Sequence, residues 1–516
     1  MFPETQPSSY YTGCNQSLLR AVPPAACKIL EVGCAEGRLG AALKHRRPDR
    51  TVFGIECQPD VAARAGERLD RVFCLDVAMD DPPLEQQSLD CVLFGDILEH
   101  LVDPEAVLLR LRRFLAPGGV ALASIPNLQH HTLLAALLSG DFQYAPAGLL
   151  DATHLRFFTG STILKLFLDA GYEPKLLDAI RLPCSPALAA AAGPLLDYLG
   201  LNRTRTVDQL DVYQHIVQGR PLKDVEPAQD DQTPFTFAAC VSDDAILGAN
   251  LLASPCLEPG SPHEVILVKN CPSAAAGLNI GLERAKHEWI VCAHQDVYLP
   301  RGWDRRLARQ LREAERRFGP IGVAGVYGVG AAEGGQAPRC APEPVPFCSP
   351  LAAERVGWVV DRGRLLRDGP ELPARVATLD ELLLVAPRDT PLRFDPALGF
   401  HLYGADICLQ ARERGLAVVA LGALCLHNSR SVGLPESFFP SAAVFARKWR
   451  HRLPVATPCV VIDREGRVHV LGNATDGPRS IVYAGECVDH GSHGWARIRQ
   501  LQQQVATAFG EDTQRC

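Results

Sequence analysis

Two separated stretches of this 516-residue chain each read as a buried strand running out into a turn that carries ligand-type residues. The first is Lys28-Ile29-Leu30-Glu31-Val32-Gly33-Cys34-Ala35-Glu36-Gly37. The second is Trp289-Ile290-Val291-Cys292-Ala293-His294-Gln295-Asp296-Val297. In each, an apolar run of strand length ends in glycines or in an isolated carboxylate. Open α/β sheets gather their ligands at such carboxyl ends. Two endings so far apart require two sheets, and so two active-site-bearing domains.

The rest of the chain fits this division. Its length is that of roughly two to three domains. A hydrophobic fraction of 47% and a charged fraction of 22% are those of a globular protein. A net charge of −7 excludes the basic stripe of a nucleic-acid binder. The Arg-rich stretch 305–317 reads as a solvated helix face with Leu307 and Leu311 inward. None of the 18 cysteines forms a Cys-x-x-Cys pair, and Cys91, Cys240, Cys292 and Cys425 lie in apolar runs. They read as buried thiols in a reducing compartment, not as disulfides or zinc ligands. The N-terminus lacks a signal-peptide pattern, and no stretch reaches membrane-spanning length. The expected location is cytoplasmic, with peripheral membrane association left open.

Apolar runs at 28–32, 51–56, 71–75, 89–94 and 120–124 alternate with helix-like segments. That alternation predicts a parallel sheet covered by helices, closed by a helix at 161–170 and a late strand at 211–218. Residues 186–201 read as a buried or lid helix. An acidic, Pro-containing linker occupies 223–234. A second series has strands at 235–241, 263–268, 288–294 and 321–327, then a Gly/Pro/Ala-rich loop at 330–346. Short runs beyond Val455 predict a small β appendage over 456–516.

At the first site, Gly33 and Gly37 let the backbone approach a ligand closely. Glu56 follows at the end of the second strand, placed for ribose hydroxyls. Asp76 ends the third strand, placed for an adenine amino group. The Gly-x-x-x-Gly spacing departs from the dinucleotide fingerprint, which disfavours a dehydrogenase. Leu115-Ala116-Pro117-Gly118-Gly119 forms a tight turn into the fifth strand. Together these residues resemble the class I S-adenosylmethionine-dependent methyltransferases, over residues 1–222. The resemblance implies that Glu31, Gly33, Ala35 and Gly37 hold the methionine part of the cofactor. It also implies Glu56 on the ribose, with Asp76 and Val77 beside the adenine. Asp151-Ala152-Thr153-His154-Leu155-Arg156-Phe157-Phe158-Thr159 lies where such enzymes place their substrate lid. A hydroxyl acceptor must lose a proton, and a neutral histidine suits that role. His154 is the candidate base, with His100, His130 and His131 as alternatives. The competing reading is that Asp151 and His154 pin the lid.

At the second site, Asp296 ends a strand, Asp406 opens a helix and His427 ends another strand. A departing diphosphate needs a divalent cation, and an attacking hydroxyl needs a base. The order and context of these residues resemble the GT-A glycosyltransferases of the family-2 type, over residues 235–455. The resemblance implies Mn²⁺ or Mg²⁺ on Asp296 and His427, and Asp406 as catalytic base. It implies nucleotide-sugar contacts at Asp243, Asn270 and Asn279. Only one acid of the usual Asp-x-Asp pair is present, with Gln295 beside it.

The expected fold is therefore α/β: a Rossmann-like methyltransferase sheet, a GT-A nucleotide-diphospho-sugar transferase domain and a β appendage. The expected function is bifunctional. One half uses S-adenosylmethionine to O-methylate a sugar or glycan, and the other transfers a sugar from a nucleotide-sugar donor to a glycan or glycolipid, in surface polysaccharide or glycolipid biosynthesis. The alternative is a methyltransferase whose second half is a non-catalytic glycan-binding module.

Overall fold

The computed structural model describes residues 14–198, 203–222, 233–330, 354–429, 434–471 and 482–483. Most of the expected linker, nearly all of the Gly-rich loop and most of the C-terminal tail lie outside the described residues.

The N-terminal domain begins with α1 (Gln16–Ala21), whose first turn is capped by Asn15. Four strands follow with short helices between them: β1 (Lys28–Val32), α2 (Arg38–Arg46), β2 (Thr51–Glu56), α3 (Pro59–Gly66), β3 (Arg71–Cys74) and β4 (Leu89–Gly95). Then come α4 (Pro104–Leu111), β5 (Leu115–Pro126), α5 (His131–Ser139) and α6 (Gly160–Asp169). The domain closes with β6 (Tyr172–Arg181), α7 (Pro186–Tyr198), α8 (Arg203–Asp211) and β7 (Val212–Pro221). Local chemistry sets the helix starts. Pro59 and Pro104 open α3 and α4, and Asp103 accepts from Ala106 N. Thr159 and Thr162 form a reciprocal cap on α6.

The sheet order is β3-β2-β1-β4-β5-β7-β6. β1 pairs in parallel with both β2 and β4, while β7 runs antiparallel between β5 and β6. A dinucleotide fold has the order 3-2-1-4-5-6, so the inserted reversed strand sets this sheet apart. The direction of winding reverses between β1 and β4, which places a ligand crevice beside Gly33. β5 starts five residues earlier than the sequence suggests, because Leu115 already pairs with Leu89 ahead of the glycine turn. The expectation for α7 narrows. It contains an internal Pro194 and leaves Leu195 and Tyr198 51% and 67% exposed, which excludes the buried reading and leaves that of a lid helix.

The second domain opens with β8 (Phe235–Val241), α9 (Asp244–Ala249), β9 (Glu264–Lys269), α10 (Ala274–Arg284) and β10 (Trp289–Ala293). β11 (Val297–Tyr298), α11 (Trp303–Phe318), β12 (Ile321–Gly325) and β13 (Tyr327–Gly330) come next. They are followed by β14 (Arg355–Asp361), β15 (Arg364–Asp368), β16 (Ala374–Leu379), β17 (Leu383–Pro387) and α12 (Tyr403–Glu413). β18 (Ala417–Ala420), β19 (Leu426–His427) and α13 (Phe438–Lys448) complete it. Twelve strands form one mixed sheet, with β8 between β9 and β10 in parallel and β17 antiparallel to β10. The expected single strand at 321–327 is two, β12 and β13, which lie apart in the strand order. α11 turns Leu307 and Leu311 inward as expected, and Arg306 is buried with them. β20 (Val455–Ala456), β21 (Val460–Ile462), β22 (Val468–Val470) and β23 (Val482–Tyr483) make the small antiparallel appendage.

Among the described residues no helix is long and apolar enough to cross a membrane. The described cysteines are all free, and Cys34, Cys91, Cys292, Cys408 and Cys425 are buried. The two domains share an apolar seam in which Leu164 and Leu168 of α6 meet Tyr298, Val360 and Leu426.

Candidate functional site

The loop after β1 has the backbone of a ligand cradle. Gly33, Ala35 and Gly37 all have positive φ, at 66°, 49° and 73°. Ala35 takes this conformation despite its Cβ, which a side chain does only under constraint. The constraint is visible: Ala35 N donates to Glu56 Oε2 at 3.1 Å, so the acid ending β2 holds the loop. Glu56 Oε1 accepts from Gln58 N at 3.0 Å and from Cys57 Sγ at 3.7 Å, and Oε2 keeps a further lone pair for a ligand. Glu31 lies beneath the loop, 5% exposed, and accepts from Gly40 N at 3.0 Å. Burial pushes its carboxyl up to about 8, against the Gly40 bond. It thus staples the first turn of α2 to the sheet. Asp76 is exposed beyond β3 and Val77 is buried.

Two groups from different elements meet on the acceptor side. Gly95 is followed by Asp96 at φ 52°, whose Oδ1 accepts from Ser124 Oγ at 2.5 Å and Gln214 Nε2 at 2.9 Å. Ligand atoms of Glu99, His100 and His154 all lie within 4.8 Å of one another, a set able to hold a cation. Glu99 is 1% exposed and neither carboxylate oxygen has a hydrogen-bond partner. Burial, with Asp96 nearby, holds its carboxyl well above the usual range. Burial also lowers His154 and His100, favouring the neutral rings. His154 Nδ1 faces Leu149 O at 3.3 Å, which leaves the Nε2 lone pair to accept a proton. The ring borders a small hollow with Leu133, Leu149 and Phe157. The alternatives are spent elsewhere. His130 caps α5 and reaches Leu182 O, and His131 bonds Leu210 O. Asp151 closes a local turn, accepting from both Thr153 N and Thr153 Oγ1. Glu99 carries no motif glycine or strand-end position, and only its burial beside two imidazoles marks it.

Residues 9–176 match the family model described as a methyltransferase domain. The N-terminal region is a class I S-adenosylmethionine-dependent methyltransferase domain. Two curated relatives are an O-methyltransferase of ubiquinone biosynthesis from Psychrobacter arcticus and a trans-aconitate 2-methyltransferase from Variovorax paradoxus. The first is 30% identical over 31% of this chain and the second 31% identical over 26%. The chain spans 64% and 54% of their own lengths. A solved S-adenosylmethionine-dependent methyltransferase from Archaeoglobus fulgidus aligns at 13% identity and a TM-score of 0.29, over 40% of this chain and 91% of that one. These matches give no support to the GT-A resemblance, which rests on the residues of the second domain alone.

In that domain the ends of β10, β14 and β19 converge. His294, Asp296 and His427 offer ligand atoms within 4.8 Å of one another. His427 Nε2 lies 3.4 Å from Asp296 Oδ1 and has no hydrogen-bond partner, while Nδ1 is 2.9 Å from Asp361 Oδ1. Burial opposes charge on His427, but Asp296 and Asp361 outweigh it and push the imidazole up to about 10. His294, Asp296 and His427 form a nitrogen–oxygen donor set, and a cation there would have to displace the proton that the two carboxylates favour on His427. His294 Nε2 pairs with Tyr403 Oη at 2.8 Å, and burial pulls its ring down to about 4. Sequence reading missed Asp361, Asp380 and Glu381. The last two sit between β16 and β17, Asp380 near His427 and Asp361, and Glu381 accepting from Gly404 N at 3.1 Å, and burial raises both. Their one sequence signal is a pair of acids opening an apolar strand.

Several expectations change here. Asp406 is fully buried and bonded to Trp449 Nε1, Lys448 Nζ and Gln410 Nε2, each at 2.7 Å. In this arrangement it anchors α13 to α12 and faces no open space, contrary to a base reaching a substrate hydroxyl. Asn279 donates to Phe394 O at 2.8 Å and accepts from Phe394 N at 3.0 Å, which makes it a backbone clamp in place of a nucleotide contact. Asp243 caps α9. Gln295 Oε1 accepts from the backbone of Ser242 and Asp243, tying the β8 turn to the Asp296 turn. Asn270 is exposed after β9 with φ 55°, at the same edge of the sheet.

Proposed function

We propose that the first domain transfers a methyl group from S-adenosylmethionine to an oxygen of a sugar or glycan. The observation that carries this is the cradle of three positive-φ residues closed by Glu56. The relative named as an O-methyltransferase supports oxygen as the acceptor atom. When bound, the cofactor supplies an electrophilic methyl group. The chain's own residues then hold Gly33 and Ala35 open, keep water from the Glu99 pocket and take the acceptor proton at His154 Nε2. A glycolipid acceptor is supported by the apolar residues around the lid, where Leu137 and Leu138 are 57% and 75% exposed. Calorimetry with S-adenosylhomocysteine, against NAD as control, tests the reading. Binding of NAD alone overturns it.

For the second domain the proposal is sugar transfer from a nucleotide-sugar donor, with Mn²⁺ or Mg²⁺ on Asp296 and His427. Convergence of His294 and Asp296, on one turn, with His427 from a distant strand favours it over a passive glycan-binding module. Nucleotide release from donor sugars, measured with manganese and with chelator, separates the two. The module reading wins if glycans bind and no donor is turned over.

A further inference from the structure

The three strand segments that carry the second site are also the face against which the methyltransferase domain packs. β11 and β19 have only two residues each, so they hold few ladder bonds of their own. Val297 pairs with His427, and Tyr298 with Leu426. β19 in turn pairs with β14, Val360 beside Leu426 and Asp361 beside His427. Directly opposed residues share a face and successive ones alternate. One face therefore presents His427 and Asp361, which meet at 2.9 Å. The opposite face presents Tyr298, Leu426 and Val360, which sit in the apolar seam with Leu164 and Leu168 of α6.

One polar bond closes that seam. Tyr298 Oη donates to Asp169 Oδ1 at 2.6 Å, both groups buried and 129 residues apart. Lys165 pairs with the other oxygen of Asp169 at 2.7 Å, and its ammonium stands 4.0 Å over the Tyr298 ring. Around the rim, Arg301 meets Glu105 at 2.8 Å and Arg367 meets Glu173 at 2.9 Å. Tyr298 is two residues from Asp296 on the same short segment. A shift of that tyrosine bears on Asp296 through a short segment whose other ties include Asp296 O accepting from Asn428 N at 2.9 Å and Leu299 N donating to Ser254 Oγ at 3.0 Å.

We infer that Asp169, in the methyltransferase domain, is a positioning residue for the Asp296–His427 cation site, acting through Tyr298. The inference rests on the cation reading of that site. It makes the second site dependent on the first domain, so the fusion has a structural purpose beyond tethering. Tyr298→Phe removes only the hydroxyl. Asp169→Ala removes the acceptor.

The test uses the full chain. Mn²⁺ affinity is measured by electron paramagnetic resonance, and the geometry of the site by the visible spectrum with Co²⁺. Each variant is expected to bind Mn²⁺ about tenfold more weakly, the scale of losing an outer partner of a metal ligand. Each is also expected to shift the Co²⁺ bands, while S-adenosylhomocysteine affinity stays at the parent value. The double variant is expected to be no worse than the weaker single one, since both break one bond. Parent-like Mn²⁺ affinity and Co²⁺ spectrum in both single variants overturn the inference. An Asp296→Asn protein reports separately on the cation reading. If the parent takes up no Mn²⁺, or Asp296→Asn binds it equally well, that reading fails and the inference with it.

Discussion

Trp449 Nε1 and Asp406 Oδ1 meet at 2.7 Å in a fully buried contact between α13 and α12. With Lys448 Nζ on the same oxygen, the pair fastens the last helix of the second domain. Asp406→Ala is expected to destabilise the protein by about 1–3 kcal/mol, since it strands a buried indole N–H, while Lys448 keeps its pair with Asp395. Asp406→Asn, which still accepts hydrogen bonds, should cost less. Thermal unfolding measures both. If Asp406→Asn melts like the parent yet loses sugar transfer, the base role returns to Asp406.

Gly33 is the cradle position least tolerant of a side chain. Its φ is 66°, and an added Cβ would lie 3.0 Å from Ile97 Cδ1 and Cγ1. Gly33→Val is expected to abolish S-adenosylhomocysteine binding, because a β-branched residue resists this φ and crowds Ile97. Calorimetry checks it. Retention of parent affinity would place the cofactor elsewhere.

His154→Ala is expected to lower methyl transfer by about 10²-fold while leaving cofactor affinity intact, the usual scale for a lost general base. Single-turnover kinetics with a glycan acceptor read this out. Unchanged turnover would leave His154 as lid packing, beside Asp151.

Glu31 predicts a pH dependence. Its folded carboxyl stands at about 8, above the ordinary 4.5. The folded state therefore holds a proton that the unfolded state releases between these values, and stability falls as pH rises through them. The loss is on the order of a few kcal/mol, at about 1.4 kcal/mol per pH unit. His215, buried and held down to about 4, works oppositely, but only below 6.5. Glu381 adds a slope of the same sign as Glu31 in the second domain. The readout is thus the difference between parent and Glu31→Gln. The variant, whose amide oxygen still accepts from Gly40 N, is expected to flatten the fall in Tm between pH 6.5 and 8. Identical slopes would show that Glu31 is ionised in the folded protein.

Asp296→Ala is expected to remove metal-dependent donor binding without lowering S-adenosylhomocysteine affinity. Titration with and without chelator measures this. Donor binding that ignores chelator would place the cation reading in error.

Much of the fold was legible because it is local. β1, β2 and β8 fall where the apolar runs place them, since a buried parallel strand must be nearly all apolar. Gly33, Gly37 and Glu56 were legible for a similar reason: a strand end, a turn and the next strand end form one short-range unit. Asp296 and His427 were legible as strand-end polar residues, and the structure does bring them together.

What the chain's order could not show is which groups meet across long separations. Asp361 and Asp380 come close to His427 only because β14, β16, β17 and β19 share one mixed sheet. Asp406 has the same sequence context whether it faces a cleft or Trp449, and only α13 packing on α12 decides. The Tyr298–Asp169 bond spans 129 residues and two domains. Periodicity and turn chemistry act over a few residues, so the sequence by itself determined the strands, the cradle and the two-domain division. Packing alone decided which polar side chains were left open to chemistry and which were spent holding the structure together.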